Sequence, residues 1–187
     1  ETAHLVRIED QEGMSQVAFP VSSQALASRR DPPAPLPRNP KMEVPSLERA
    51  VFVRLNMQGG AMGTLDAATL NGERKTLREL VEANEFWAFN GTIGMTETPL
   101  ADVEAGQAVK LEIYNDTSFP HAMHLHGMHF REIGKGGALG PLRDTLLMFG
   151  GETRAIGFVA DNPGDWLFHC HMLSHAASGM MTWMRVT

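Results

Sequence analysis

"WLFHCHMLSHAASGMMTW", residues 166–183, gathers three histidines, several methionines and the single cysteine of a 187-residue chain. In an extended strand, successive side chains face opposite sides of the sheet. His169 and His171 therefore point one way, and Cys170, between them, points the other. The same parity applies upstream in "HAMHLHGMHF", residues 121–130. There His124 and His126 share a face and His121 takes the opposite one. Two such strands side by side present four imidazoles to a common side and let Cys170 meet His121 on the other.

The ligands thus sort into two groups on opposite faces of one strand pair. The first holds Cys170 and His121, and the loop after the cysteine strand adds His175 and Met180. Two histidines, a thiolate and a long axial methionine are the ligand set of a blue-copper electron-transfer centre. The second group holds four histidines and no thiol. Neutral imidazole suits copper, zinc and iron alike, so the four do not by themselves name a metal.

Rival chemistries fit less well. One His-x-His pair serves equally as a polar face without metal, but two pairs flanking the complete blue-copper set argue against that. Structural zinc takes four ligands, commonly with more than one thiolate or a C-x-x-C spacing, and one cysteine cannot supply them. A nucleophilic Cys170 needs one poised general base, whereas here several imidazoles compete to hold a metal.

The surroundings are strand-rich. "RAVFVRLNM", "EFWAFNG", "AVKLEIYND", "HAMHLHGMHFREIG", "RDTLLMF", "TRAIGFVAD" and "GDWLFHCHM" are β-branched or aromatic runs. They are separated by the turn signals "EAGQ", "KGGALGP", "FGGE" and "DNPG". Some seven strands at this spacing predict an all-β sandwich, with "RKTLRELVEAN" as a helical exception. No internal repeat is visible.

Residues 1–30 hold two strand-like runs, "AHLVRIED" and "SQVAFPVSSQALA", too little to bury a core. Prolines at 32, 33, 35, 37, 40 and 45 then exclude a helix or a central strand and mark residues 31–45 as an extended linker. Residues 46–187 form the principal domain, with 1–30 the tail of a preceding one. Hydrophobic residues are 43% and charged residues 20% of the chain, which argues against wholesale disorder. No apolar run reaches the roughly 20 residues that span a bilayer. A net charge of -6, with Arg29 and Arg30 an isolated basic pair, speaks against nucleic acid as a partner. No targeting signal is seen, so any such peptide is expected outside these residues.

At this point the two motifs resemble the C-terminal copper motifs of the multicopper oxidases, the laccase-like proteins. "DNPGDWLFHCH" and "FNG" at residues 89–91 add to the likeness, which runs from about residue 46 to the end. The resemblance implies a cupredoxin-like Greek-key β-sandwich with a short helix or two in loops. It also implies copper: His121, Cys170, His175 and Met180 as type 1 ligands, His124 on a type 2 ion, and His126, His169 and His171 on a type 3 pair. Electrons from a reducing substrate would enter at the type 1 ion and pass from Cys170 to His169 and His171, toward a trinuclear cluster that reduces O2 to water. A small reductant, either a phenol or a metal ion, and a periplasmic or secreted location follow from the same likeness.

Two positions depart from the family pattern: Ala122 stands where a proline is usual and Met128 where a histidine is usual. The larger departure is that the cluster in such enzymes takes eight histidines and this chain offers four. The other two His-x-His pairs are expected from N-terminal cupredoxin domains of the same enzyme, carried on another chain or fragment. Other readings are a stand-alone electron-transfer cupredoxin, which leaves four histidines without purpose, and a copper nitrite reductase, in which His171 is expected to be replaced. Copper storage by a nicked fragment is the remaining one.

His4 and His129 are expected to be structural or exposed. Most of the twelve methionines are spread along the chain, as Met14, Met42, Met57, Met62 and Met95, and core filling is expected for the majority. Met123, Met128, Met172 and Met181 lie near the motifs, where thioether would favour Cu(I). Asp144 and Glu152 are expected to be surface charge rather than a proton relay.

Overall fold

The computed structural model describes residues 2–9, 12–20, 31–60 and 62–187, giving only the backbone for 2–20 and for Lys41. The chain divides into two compact units, Glu1–Arg38 and Asn39–Thr187. In the first, β1 (Thr2–Glu9) and β2 (Glu12–Pro20) pair as an antiparallel hairpin. The later half of the run "SQVAFPVSSQALA", and the pair Arg29–Arg30, lie outside the described residues. So do the side chains of His4 and Met14. Residues 31–39 carry no regular structure and are exposed throughout, as six prolines nearby require.

The second unit is built from strands β3 (Val51–Gly59), β4 (Ala67–Leu70) and β5 (Glu73–Thr76), then helix α1 (Leu77–Glu82). Strands β6 (Trp87–Phe89), β7 (Thr92–Ile93), β8 (Ala101–Val103), β9 (Ala108–Asp116) and β10 (His121–Leu125) follow. Next come β11 (Phe130–Ile133), β12 (Leu139–Arg143), β13 (Thr145–Met148), β14 (Thr153–Val159) and β15 (Gly164–Cys170). Helix α2 (Leu173–Ala177) and strand β16 (Met181–Val186) complete it.

Two sheets result, one in the order β13-β10-β15-β16-β8 and one in the order β12-β11-β14-β9-β3-β6-β7-β4-β5. Alternation drives their packing. In β9, Val109, Leu111 and Ile113 are fully buried while their neighbours are partly exposed or exposed. They meet Val53 and Leu55 of β3, and Met123, Leu125, Phe168 and Met184 from the other sheet, in one core. The strands carrying Cys170 and His121 thus sit on a close-packed floor that resists displacement.

Several expectations need correction. The seven expected strands become fourteen in this unit. Strands β4, β5, β7, β8, β12 and β16 were unforeseen, most being too short to show a period. "RKTLRELVEAN" begins as strand, because Arg74, Lys75 and Thr76 pair in β5, and turns helical from Leu77 to Glu82. Thr76 then caps α1 in a capping box, Glu79 N–H donating to its hydroxyl at 3.4 Å and the Glu79 carboxylate accepting from its N–H at 2.8 Å. "KGGALGP" is a turn only in part, since β12 begins at Leu139 and tolerates Pro141 by lying at a sheet edge.

The run "HAMHLHGMHFREIG" is two strands, β10 in one sheet and β11 in the other. The switch falls at Gly127, whose φ of +73° is left-handed. A Cβ there would lie 2.1 Å from the Trp166 ring, which its own Nε1–H anchors to the Asn162 carbonyl at 2.7 Å. Gly127→Ala is therefore expected to destabilise by about 2 kcal/mol or more, combining left-handed strain with overpacking. A thermal melt checks it; an unchanged midpoint would show that the ring yields freely.

Candidate metal centre

The two histidine-bearing strands lie side by side, with Met123 paired to Cys170, His124 to His169 and Leu125 to Phe168. Beyond the strand ends the ladder continues, His126 N–H donating to the Leu167 carbonyl at 3.0 Å and His171 N–H to the Ala122 carbonyl at 2.7 Å. Parity therefore holds through all four outward histidines. His121, Met123, Leu125 and Cys170 face the core and are buried, whereas His126 and His171 are exposed and His124 is half-buried.

On the inner face, Cys170 Sγ is 3.7 Å from His121 Nδ1 and 3.7 Å from His175 Nδ1. The two Nδ1 atoms are 3.1 Å apart. Among the described residues, only this trio brings three such donor atoms within 4.8 Å of one another. His175 is delivered by α2, a helix where a plain loop was expected. Met180 is fully buried in the same core, its carbonyl accepting from Cys170 N–H at 3.1 Å and its N–H donating to the His175 carbonyl at 3.0 Å.

Trp87 is a site residue that the sequence did not single out. Its indole packs 4.7 Å from the His175 ring and edge-on at 4.9 Å from His121. The backbone beside it grips the ligand loop, since Phe86 and Trp87 N–H both donate to the Ser178 carbonyl. Gly179, with φ +102°, lets that loop pass so close that a Cβ would lie 2.8 Å from the Trp87 carbonyl.

Burial decides the proton states. It pushes the His121 imidazole down to about 4, helped by the neighbouring His175. Burial also lowers His175 and raises the Cys170 thiol. The imidazoles are therefore neutral donors near neutral pH, and the thiol stays protonated until a metal displaces its proton. Two neutral imidazoles and a thiol converging in a water-poor pocket, with a thioether in the same core, suit copper by softness.

The outer face is arranged differently. His126 and His169 bring their Nε2 atoms within 3.1 Å of each other. His124 and His171 have ring centroids 5.3 Å apart, and His124 is 5.7 Å from His169. Backbone carbonyls only accept, so His124 donates Nδ1–H to Asp144 O at 2.9 Å and His169 donates Nδ1–H to Cys170 O at 2.9 Å. Both keep a bare Nε2, the atom a metal takes. Burial lowers His126 and His169 in the same direction as the inner pair.

The remaining candidates fall elsewhere. His129 is exposed. Met57, Met123, Met128, Met148, Met180 and Met184 fill the core, while Met42, Met62 and Met95, at 51%, 83% and 55% exposed, are exceptions to core filling. Met42 ends a short 3-10 helix, Pro40–Met42, and Met62 and Met95 lie between strands. Met172 and Met181 are half-buried. Asp144 is exposed and Glu152 accepts from Phe149 N–H at 2.9 Å and Arg154 at 3.3 Å, which fits a structural role.

Comparison with known proteins places the chain in a family. The family model described as multicopper oxidase matches residues 69–187. Multicopper oxidase MmcO of Mycobacterium tuberculosis is 38% identical over 96 residues, 51% of this chain and 19% of that protein. The copper resistance protein A homolog of Pseudomonas syringae pv. tomato is 35% identical over 100 residues, 54% of this chain and 17% of that protein. The crystal structure of Lac15, from a marine microbial metagenome, superposes with a TM-score of 0.62 at 37% identity, covering 97% of this chain and 37% of that one. The chain thus spans about a fifth of the length of the curated relatives it matches. The all-β, cupredoxin-like expectation agrees with these neighbours.

Proposed function

The chain belongs to the multicopper oxidase family, and we propose that it supplies the C-terminal cupredoxin of an oxidase that draws electrons from a reducing substrate. Membership implies copper as the cofactor. His121, Cys170 and His175, with Met180 as the axial group, would hold a type 1 ion; His124 would serve a type 2 ion, and His126, His169 and His171 a type 3 pair. Bound copper supplies one-electron uptake at the inner site and reduction of O2 to water at the outer one.

The chain's own residues divide the remaining work. Of the inner trio only His175 is partly exposed, so the edge of its ring is where a phenol or an oxidisable metal ion would meet the site. Trp87 and the core beneath keep water away from Cys170. The observation that carries the proposal is the run His169–Cys170–His171, a single strand whose alternate side chains serve both faces. Its backbone is the shortest covalent link between the substrate side and the oxygen side.

Half of the outer histidines are proposed to come from N-terminal cupredoxin domains of the same enzyme. Export to the periplasm or beyond the cell belongs to the same proposal. No helix among the described residues is long and apolar enough to cross a membrane. The convergence of the inner trio alone favours one rival, an electron-transfer domain with a single copper. Native mass spectrometry of the copper-loaded 20.5 kDa chain, alone and with the N-terminal domains, separates them. One copper alone and four in the complex are expected; no gain on complex formation would leave the electron-transfer reading.

A further inference from the structure

We propose that Thr117 is a positioning residue that locks His121 as its Nε2–H tautomer and so turns a bare Nδ1 toward Cys170 and His175; the inference rests on reading His121 as a metal ligand. The groups involved are sealed from solvent, with Asn115 0%, Thr117 7% and His121 0% exposed.

Proton counting forces the assignment. Asn115 Nδ2–H donates to the Phe119 carbonyl at 2.8 Å, and Thr117 N–H donates to Asn115 Oδ1 at 3.2 Å. A carbonyl cannot donate and an amide N–H cannot accept, so the Asn115 side chain has one orientation. Thr117 Oγ1 lies 2.7 Å from Asn115 Oδ1 and 3.2 Å from the Phe119 carbonyl. Asn115 Oδ1 has no proton of its own, so an oxygen–oxygen approach of 2.7 Å requires the hydroxyl's only proton to lie there rather than on His121. Phe119 N–H also donates to Oγ1 at 3.2 Å. His121 Nε2, 2.9 Å from Oγ1, must then be the donor. A neutral imidazole carries one N–H, which leaves Nδ1 bare.

The outer face does the opposite with different means. His124 and His169 donate Nδ1–H to backbone carbonyls, which no substitution removes. At His121 the tautomer depends on side chains, and the lock is therefore open to mutation. Thr117→Val keeps the shape but leaves Nε2–H buried without its acceptor, while Asn115 Oδ1 keeps only the backbone N–H of residue 117, so the ring loses its preference.

The test reads the tautomer directly in the metal-free chain, by nitrogen NMR of histidine-labelled protein at about pH 7.5, a unit above the ordinary imidazole value. The expected wild-type result is one slowly exchanging proton on His121 Nε2; a proton on Nδ1, or a rapidly exchanging mixture, overturns the proposal. Thr117→Val is expected to give the mixture and Thr117→Ser to restore the single form, so a Val spectrum identical to wild type also overturns it. If Thr117→Val does not fold, the wild-type and Ser spectra still decide. Copper affinity in a competition titration should weaken about 10–100-fold in Thr117→Val and recover in Thr117→Ser. A locked tautomer with no copper at His121 would uphold the lock and sink the metal reading instead.

Discussion

Cys170→Ser is expected to abolish the visible thiolate-to-copper absorption of the loaded chain and to weaken copper binding by more than the 10–100-fold typical of losing an outer-shell group. The exchange is nearly isosteric, so Phe168, Met123 and Met180 keep their packing around the site. What it removes is the soft anion: a hydroxyl does not ionise in this range, whereas a displaced thiol proton leaves a strong ligand for copper. Optical titration with copper and a melt of the metal-free variant check it together. Retained colour with unchanged affinity would remove Cys170 from the site. Loss of colour with a collapsed fold would be uninformative, so His175→Ala provides the second variant, its ring being partly exposed and its helix short.

The metal-free chain is expected to lose stability steeply as pH falls from about 6.5 toward 4. The unfolded chain binds a proton at His121 near the ordinary value of 6.5, while the folded chain resists until about 4. Between those values the unfolded state holds more protons, so stability rises with pH there and its full benefit is present above 6.5. A shift of this size corresponds to about 3 kcal/mol. His126, His169 and His175 are displaced in the same direction and add to the slope. Carboxylates such as Glu132 are held below their ordinary 4.5 and act at lower pH, while burial raises Glu85, which opposes the histidine slope in the window from about 4 to 6.5. Thermal melts across it should steepen this trend in wild type and flatten it in His121→Gln. A flat wild-type profile would mean that the pocket admits water and the imidazoles titrate normally. Copper should suppress the slope, because metal and proton compete for the same nitrogens.

Much of the site was legible because strand parity is local. Once Cys170 was placed between His169 and His171, the sorting of histidines onto two faces followed from backbone geometry alone, and the strands show that sorting. Trp87, Asn115 and Thr117 were not legible. Each acts through a contact made across a turn or between sheets, and their types carry no spacing signal. The exposed Met42, Met62 and Met95 misled for the converse reason: a methionine outside a periodic strand gives no clue to whether a core lies within reach. Strand β7 is two residues long and β8 three, so neither offers a period, and both exist because a neighbouring strand supplies hydrogen bonds.

By itself the sequence determined the donors, their softness and the face each takes, since these depend on residue type and on the two-residue repeat of a strand. Only the tertiary structure decided which donors meet. His121 and Cys170 are 49 positions apart, and they converge because β10 and β15 pair in register over a shared core. The proton states follow from the same cause, for an imidazole is held neutral and a thiol protonated by the water that packing removes, and no local pattern records that.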